Sequence, residues 1–315
     1  MRHLLLALLC CSSSVYACDF CGCSPALMNS DVLTLQPQSS IGTSLQYKNY
    51  KFLSSPENLK RTQLVTQNFF VSYAPKHWVD IRLSMPIIWM LNDYSKIDDK
   101  TPKLKEKKFG AGDLLLYFNY KVFAKPPFGT KRVGHTINLG HGFSFPTGSK
   151  KSSDNLLLQD FNFGTQTVAF FFSGNYSMSI KNWGLVNSIL MKLNIYNKAR
   201  VKYGNSYMYQ LSTNYTHSFR QLTLIPMFGI RADISQKNLH NSIIQPRSGG
   251  WSLAAMAGMQ FSIKEIAFNI SISQPMVQKI SLGDVRENTG INFTFKYLIP
   301  KRIKMTNEIH LHTKS

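Results

Sequence analysis

From about residue 39 onward, apolar and polar residues alternate with period two, in runs of about 10 to 14 residues broken by Gly, Pro, Asn, Lys and Ser. In 79–91, Val79, Ile81, Leu83, Met85, Ile87, Trp89 and Leu91 fall on one face and Asp80, Arg82 and Ser84 on the other. Leu114, Leu116, Phe118, Tyr120 and Val122 likewise oppose Asp113, Tyr117, Asn119 and Lys121. In 183–195, Trp183, Leu185, Ile189, Met191, Leu193 and Ile195 oppose Ser188, Lys192 and Asn194. Twelve such segments are predicted, at 40–52, 62–74, 78–91, 111–123, 135–146, 164–176, 183–196, 204–217, 221–234, 250–263, 265–275 and 288–299. Helical periodicity is almost absent across them.

The connections between segments alternate in length. Those at 75–77, 177–182, 218–220 and Lys264 are short, with 124–134 the exception; those at 53–61, 92–110, 147–163, 235–249 and 276–287 are long, with 197–203 the shortest of that set. An even set of antiparallel strands with short turns at one end and long loops at the other is the layout of an outer-membrane barrel. A soluble β-sandwich also alternates, but its open face is usually charged. Here the polar face is mostly Ser, Asn, Gly and Thr, which suits a wet lumen. Trp78, Trp89, Trp183, Trp251, Tyr207, Tyr215 and Tyr297 sit near segment ends, as interfacial girdles do. The expected fold is therefore all-β: one transmembrane, antiparallel, up-and-down barrel of about 12 strands over 39–299, without a second domain.

The N-terminus adds an export signal. Arg2 precedes an apolar run from Leu4 to Leu9, and Val15 and Ala17 fit a small-residue cleavage pattern, so 1–17 reads as a signal peptide and Cys18 as the first mature residue. The run is too short to span a bilayer, which takes about 20 residues, and no later stretch reaches that length. A segment at 18–38 carries the cysteines, and 300–315 forms a basic tail. Only 17% of residues are charged, yet the net charge is +20. Such an excess suits a polyanionic surface such as lipid head groups or lipopolysaccharide. Nucleic acid is not an expected partner of an exported chain with no binding motif for it. A basic background of solvated Lys loops would give the same number.

The order of "CDFCGC", "IGTSLQYKNY", "WVDIRLSMPIIWM", "GAGDLLLYFNYKVF" and "GFSFPTGS" resembles a family of Bacteroidota outer-membrane β-barrel proteins described as transporters. That family is similar in turn to the barrel proteins named after a phenol meta-cleavage pathway. The likeness runs along nearly the whole mature chain. It implies an outer-membrane location and passage of small solutes; it brings no substrate and no catalytic residues, and the even count of twelve strands places both chain ends on the periplasmic side. The tail after Tyr297, "LIPKRIKMTNEIHLHTKS", departs from barrels that end near an aromatic residue.

With this topology the lumen-facing charges are Arg82, Lys121, Lys192, Arg231 and Lys296, with Lys48 a further candidate, against Asp80 and Asp113. A basic lumen favours anions; pairing of Arg82 with Asp80, or of Lys121 with Asp113, would instead fill it. No enzymatic set is expected. His141 and Ser144 are three apart, which puts them on opposite faces of a strand. Cys18, Cys21 and Cys23 are soft ligands suited to Cu(I) or zinc, and His310 and His312 are candidates to complete a site once both chain ends meet at the barrel's short-turn rim. A disulfide or lipidation of Cys18 are the rival readings. Three functions follow: a porin or transporter for small solutes with an anion preference, a non-conducting barrel whose cysteines bind or hand over a soft metal, and a soluble exported sandwich that binds a polyanion.

Overall fold

A computed structural model describes residues 37–53, 59–94, 105–125, 133–149, 163–198 and 200–300. They form twelve antiparallel strands. In chain order these are β1 (Ser40–Phe52), β2 (Leu59–Lys76), β3 (Val79–Tyr94), and β4 in two pieces (Lys105–Ala111 and Leu114–Lys125). Next come β5 (Val133–Phe145), β6 (Ala169–Ile180), β7 (Trp183–Asn194), β8 (Ser206–Tyr215) and β9 (Leu222–Ser235). The last three are β10 (Gly250–Ile263), β11 (Ile266–Ile280), and β12 in two pieces (Val285–Glu287 and Gly290–Leu298). Each strand pairs with its neighbours in sequence, and β12 pairs with both β11 and β1, so the sheet closes. One continuous closed sheet rules out the soluble sandwich. Among the described residues, no helix is long and apolar enough to cross a membrane.

The turns at one end are tight. Lys181, Arg220 and Lys264 each take a positive φ in two-residue connections, the conformation that matches the right-handed twist of hairpin strands. At the other end, short pieces at Val201–Lys202, Leu239–His240 and Ile243–Ile244 join two long loops into a small three-stranded sheet.

The register fixes the barrel's shape. From Ser72, bonded partners run through Arg82, Tyr117, Gly142, Phe171, Lys192, Ser206, Ser235, Gly250, Ile280 and Val285 to Phe52. Phe52 lies one residue beyond the Lys51–Arg61 pair. The path therefore returns to β2 about twelve residues from its start, which for twelve strands means a tilt of about 35–40°. At about 3.3 Å per residue, the ten steps from Val79 to Trp89 then rise roughly 25 Å, the height of an outer-membrane barrel's apolar band.

Burial is inverted relative to a soluble protein. Ile41, Leu45, Phe69, Val71, Leu83, Ile189, Phe228, Ile270 and Ile272 point outward and are exposed. Ser44, Lys48, Asn68, Asp80, Arg82, Asn138, Lys192, Arg231, Asn269 and Lys296 are buried in the lumen. Trp78 stacks with Tyr120 and Trp183 packs edge-on to Tyr215 at the short-turn end, while Trp89 pairs with Phe109 towards the other. These pairs edge the apolar belt on both sides.

The 164–176 segment departs from expectation, because the strand starts only at Ala169. Residues 163–167 are held elsewhere, by Asp113. The β4 ladder breaks at Gly112–Asp113, and the fully buried Asp113 carboxylate turns to the β5–β6 connection. It accepts hydrogen bonds from Gly148 N (3.0 Å), Thr165 N (2.7 Å) and Thr165 Oγ1 (2.6 Å). Thr147 Oγ1 accepts from Leu114 N, and Ser149 Oγ from Ala111 N. Turn groups thus replace the ladder partners that the break removes. Gly148 and Gly164 meet backbone to backbone: a Cβ on Gly148 would lie 2.5 Å from the Gly164 Cα. The 276–287 connection also shortens, since β11 runs on to Ile280 and Val285–Glu287 is strand.

Two outcomes test this architecture. Ile272→Arg places a charge on the lipid-facing belt and is expected to cost about 2–4 kcal/mol in bilayer unfolding titrations; a neutral effect would contradict a lipid-facing side. Asp113→Asn replaces an accepting oxygen by a donor and orphans one amide at a cost of about 1–3 kcal/mol. Amide exchange at Gly148 and Thr165 should then speed up by roughly tenfold or more, and unchanged exchange would deny Asp113 its anchoring role.

Candidate functional site

The lumen is stratified. At the long-loop end, Tyr50, Phe52, Leu59, Leu64, Ile88, Met90, Ile280 and Val285 line the inside with apolar side chains, and Phe163 is buried among them. The Asp113 anchor delivers Phe163 to that position, because Thr165 is only two residues further on. A second apolar patch of Leu115, Tyr117, Ala169, Phe171, Leu190 and Met208 covers the wall formed by β4, β6, β7 and β8. Two separate apolar patches thus line the lumen, one of them at the long-loop end around Phe163.

Between these patches sit paired charges. Lys48 Nζ lies 3.2 Å from Glu287 Oε1, with both side chains buried. Arg231 Nε donates to Asp233 Oδ2 at 2.7 Å and lies within electrostatic reach of Glu287. Buried charges persist only when paired or hydrogen-bonded. Lys192 is buried with its ammonium 5.7 Å from the centre of the Phe171 ring, near enough for cation–π attraction.

Towards the short turns, Arg82 Nε donates to Ser72 Oγ at 3.0 Å while its guanidinium lies 5.1 Å from the Phe70 ring centre. Lys296 Nζ reaches the same ring at 6.0 Å. Phe70 can lie there because its partner on β1 is Gly42, where a Cβ would come within 2.6 Å of the ring. The Asp80 carboxylate lies within electrostatic reach of both Arg82 and Lys296.

The structure thus groups Asp80, Arg82 and Lys296, and separately Arg231 with Lys48 through Glu287. Asp113 does not meet Lys121, because the two occupy opposite halves of β4. Asp113 is surrounded by amide and hydroxyl donors, and Lys121 is half-buried towards the short-turn rim, where its N–H donates to the Trp78 carbonyl. His141 stacks between Phe118 and Tyr120 on the outer side, while Ser144 is buried inside. Cys18, Cys21, Cys23, His310 and His312 lie outside the described residues. Among the described residues, no group of three His, Cys, Asp or Glu gathers in ligand geometry.

Several lumen residues escaped the sequence reading. Asp233 shares the parity of Arg231 and could have been found from it. Glu287 was hidden by reading 276–287 as a loop. Phe70 gave no signal, since an aromatic residue in an apolar run looks like any other, and Phe163 fell at the end of the 147–163 connection, outside the strand pattern.

No family model matches the sequence, and no curated protein matches it. Solved structures do match. An outer membrane channel from Pseudomonas putida F1 superposes with a TM-score of 0.58 at 14% identity, covering 84% of this chain and 96% of that one. The β-domain of the Bordetella autotransporter BrkA gives 0.48 at 7% identity, over 83% and 100%. The first likeness shows the same fold: a closed barrel of the kind found in an outer-membrane channel.

Proposed function

We propose that this protein is an outer-membrane channel for small solutes, with a preference for anions and with its short-turn end and both chain termini on the periplasmic side. The observation that carries this reading is the inverted burial: an apolar belt about one bilayer core in height outside, and charge inside. The belt would meet membrane lipid and lipopolysaccharide. Among the described residues, five buried cations (Lys48, Arg82, Lys192, Arg231 and Lys296) face three buried carboxylates, Asp80, Asp113 and Glu287. The Asp113 carboxylate is committed to the loop anchor, so the wall that a solute would meet is more basic still. Rings of Lys and Arg favour anions at close quarters.

The apolar loop-side patch around Phe163 supports a refinement in which that side chain narrows the channel. It also favours a second reading: a barrel that does not conduct, whose Cys18–Cys21–Cys23 segment binds Cu or Zn at the short-turn side. Intact mass with and without chelator separates bound metal from a disulfide or a lipid on Cys18.

In planar bilayers under a KCl gradient, the reversal potential is expected to show chloride passing more readily than potassium, and a cation preference would sink the anion reading. Phe163→Ala should cost about 3–5 kcal/mol, as truncation of a core aromatic does, and should raise single-channel conductance. Equal conductance in the two proteins would remove Phe163 as the narrowing side chain.

A further inference from the structure

Below the charged tier, buried carboxamides face the lumen with no protein partner. Gln260 and Asn269 pair across β10 and β11, and both polar atoms of each side chain lack a hydrogen bond. Asn138, on β5, lacks partners at both Nδ2 and Oδ1, and Asn119, on β4, lacks one at Oδ1. Gln260, Asn269 and Asn138 are at most 2% exposed. A carboxamide offers two donors and two acceptors, and buried polar groups in folded proteins are nearly always satisfied. Water or a solute in the lumen would supply the missing partners.

Their heights agree. Gln260 is three residues from the end of β10 at Ile263, and Asn269 is three from the start of β11 at Ile266, both at the short-turn end. Asn119 pairs with Asp80, the second residue of β3, and Asn138 pairs with Lys121. Lys296 on β12 lies opposite Ala267, two residues from Asn269. Amides on four strands thus share one level of the barrel with Arg82, Lys296 and Asp80.

We propose that this level is a solute-binding constriction for small hydroxylated organic acids, a reading that rests on the anion-leaning channel above. Arg82 and Lys296 outnumber Asp80 at this level, and Lys121 opposite Asn138 adds a further positive charge, so an anion is favoured there. Two cations sharing the Phe70 ring supply a carboxylate's partners. The amides suit hydroxyl groups, which donate and accept as carboxamides do; an alkyl chain would leave the amides unpaired, and a neutral polyol would leave the positive excess uncompensated. A site that hydrogen-bonds a hydroxyl rejects the analogue lacking it, because its own buried groups are then stranded.

The test uses three six-carbon probes on the intact, detergent-solubilised barrel by titration calorimetry: gluconate, hexanoate and sorbitol. Gluconate is expected to bind at least about tenfold more tightly than either of the others. Equal affinity for gluconate and hexanoate would overturn hydroxyl recognition by the amides, and equal affinity for gluconate and sorbitol would overturn the charge requirement. Binding of none of the three would mean that the amides face water only, and the proposal would fall. The wild-type comparison needs no variant. Gln260→Leu with Asn269→Leu, checked for heat-modifiable migration as a sign of folding, should bring gluconate down to the hexanoate affinity, and an unchanged preference would remove these two residues from the site. Calorimetric binding together with silence in bilayers would keep the site and overturn the channel reading. Current without gluconate binding would do the reverse.

Discussion

In hydrocarbon, every backbone N–H and C=O must find its partner within the protein. For a sheet, that demand is met only by closure, here through the β12–β1 ladder from Ser40–Leu298 to Tyr47–Ile291. Closure sets tilt and register together, and register decides which residue of each alternating pair faces lipid. The polar interior follows from the same demand. Once the outer positions are apolar, Lys48, Arg82, Lys192, Arg231 and Lys296 have only the lumen to occupy.

A lumen crowded with cations needs compensation, and it differs by height. Near the loops the wall is apolar around Phe163, and the buried charges beside it pair, as Lys48–Glu287 and Arg231–Asp233 do. Near the short turns, Arg82 and Lys296 rest on an aromatic ring beside one carboxylate, and neutral amides take the remaining wall. The interior thus passes from an apolar lining to a polar one with unsatisfied amides within one barrel height.

Alternation carries far along this chain because its period is that of the side chains themselves. The first and tenth segments, 40–52 and 250–263, coincide with the observed strands, and the inward side of 79–84 and 183–195 was legible from Asp80, Arg82, Ser188 and Lys192. The contrast fades where both sides are apolar. Ile88 and Met90 face inward beside outward Trp89, so the loop-side lining could not be told from the lipid side. The Asp113 anchor was illegible for another reason: its partners Gly148 and Thr165 are 35 and 52 positions away, and no local pattern links them. The amide level needed the register of strands far apart in the chain.

The closing seam has a consequence for assembly. Lys48 and Glu287 lie on opposite sides of the β1–β12 junction, and so do Lys296 and the Phe70–Gly42 contact. In an open sheet these groups are far apart and hydrated; they meet only when the first and last strands zip together. Closure of the seam therefore forms a buried ion pair and a cation–aromatic contact in the same event as its hydrogen bonds. A one-residue slip of β1 would turn Lys48 out into lipid, and a slip of β12 would do the same to Lys296. The seam's own charges thus proofread the register at which the barrel locks.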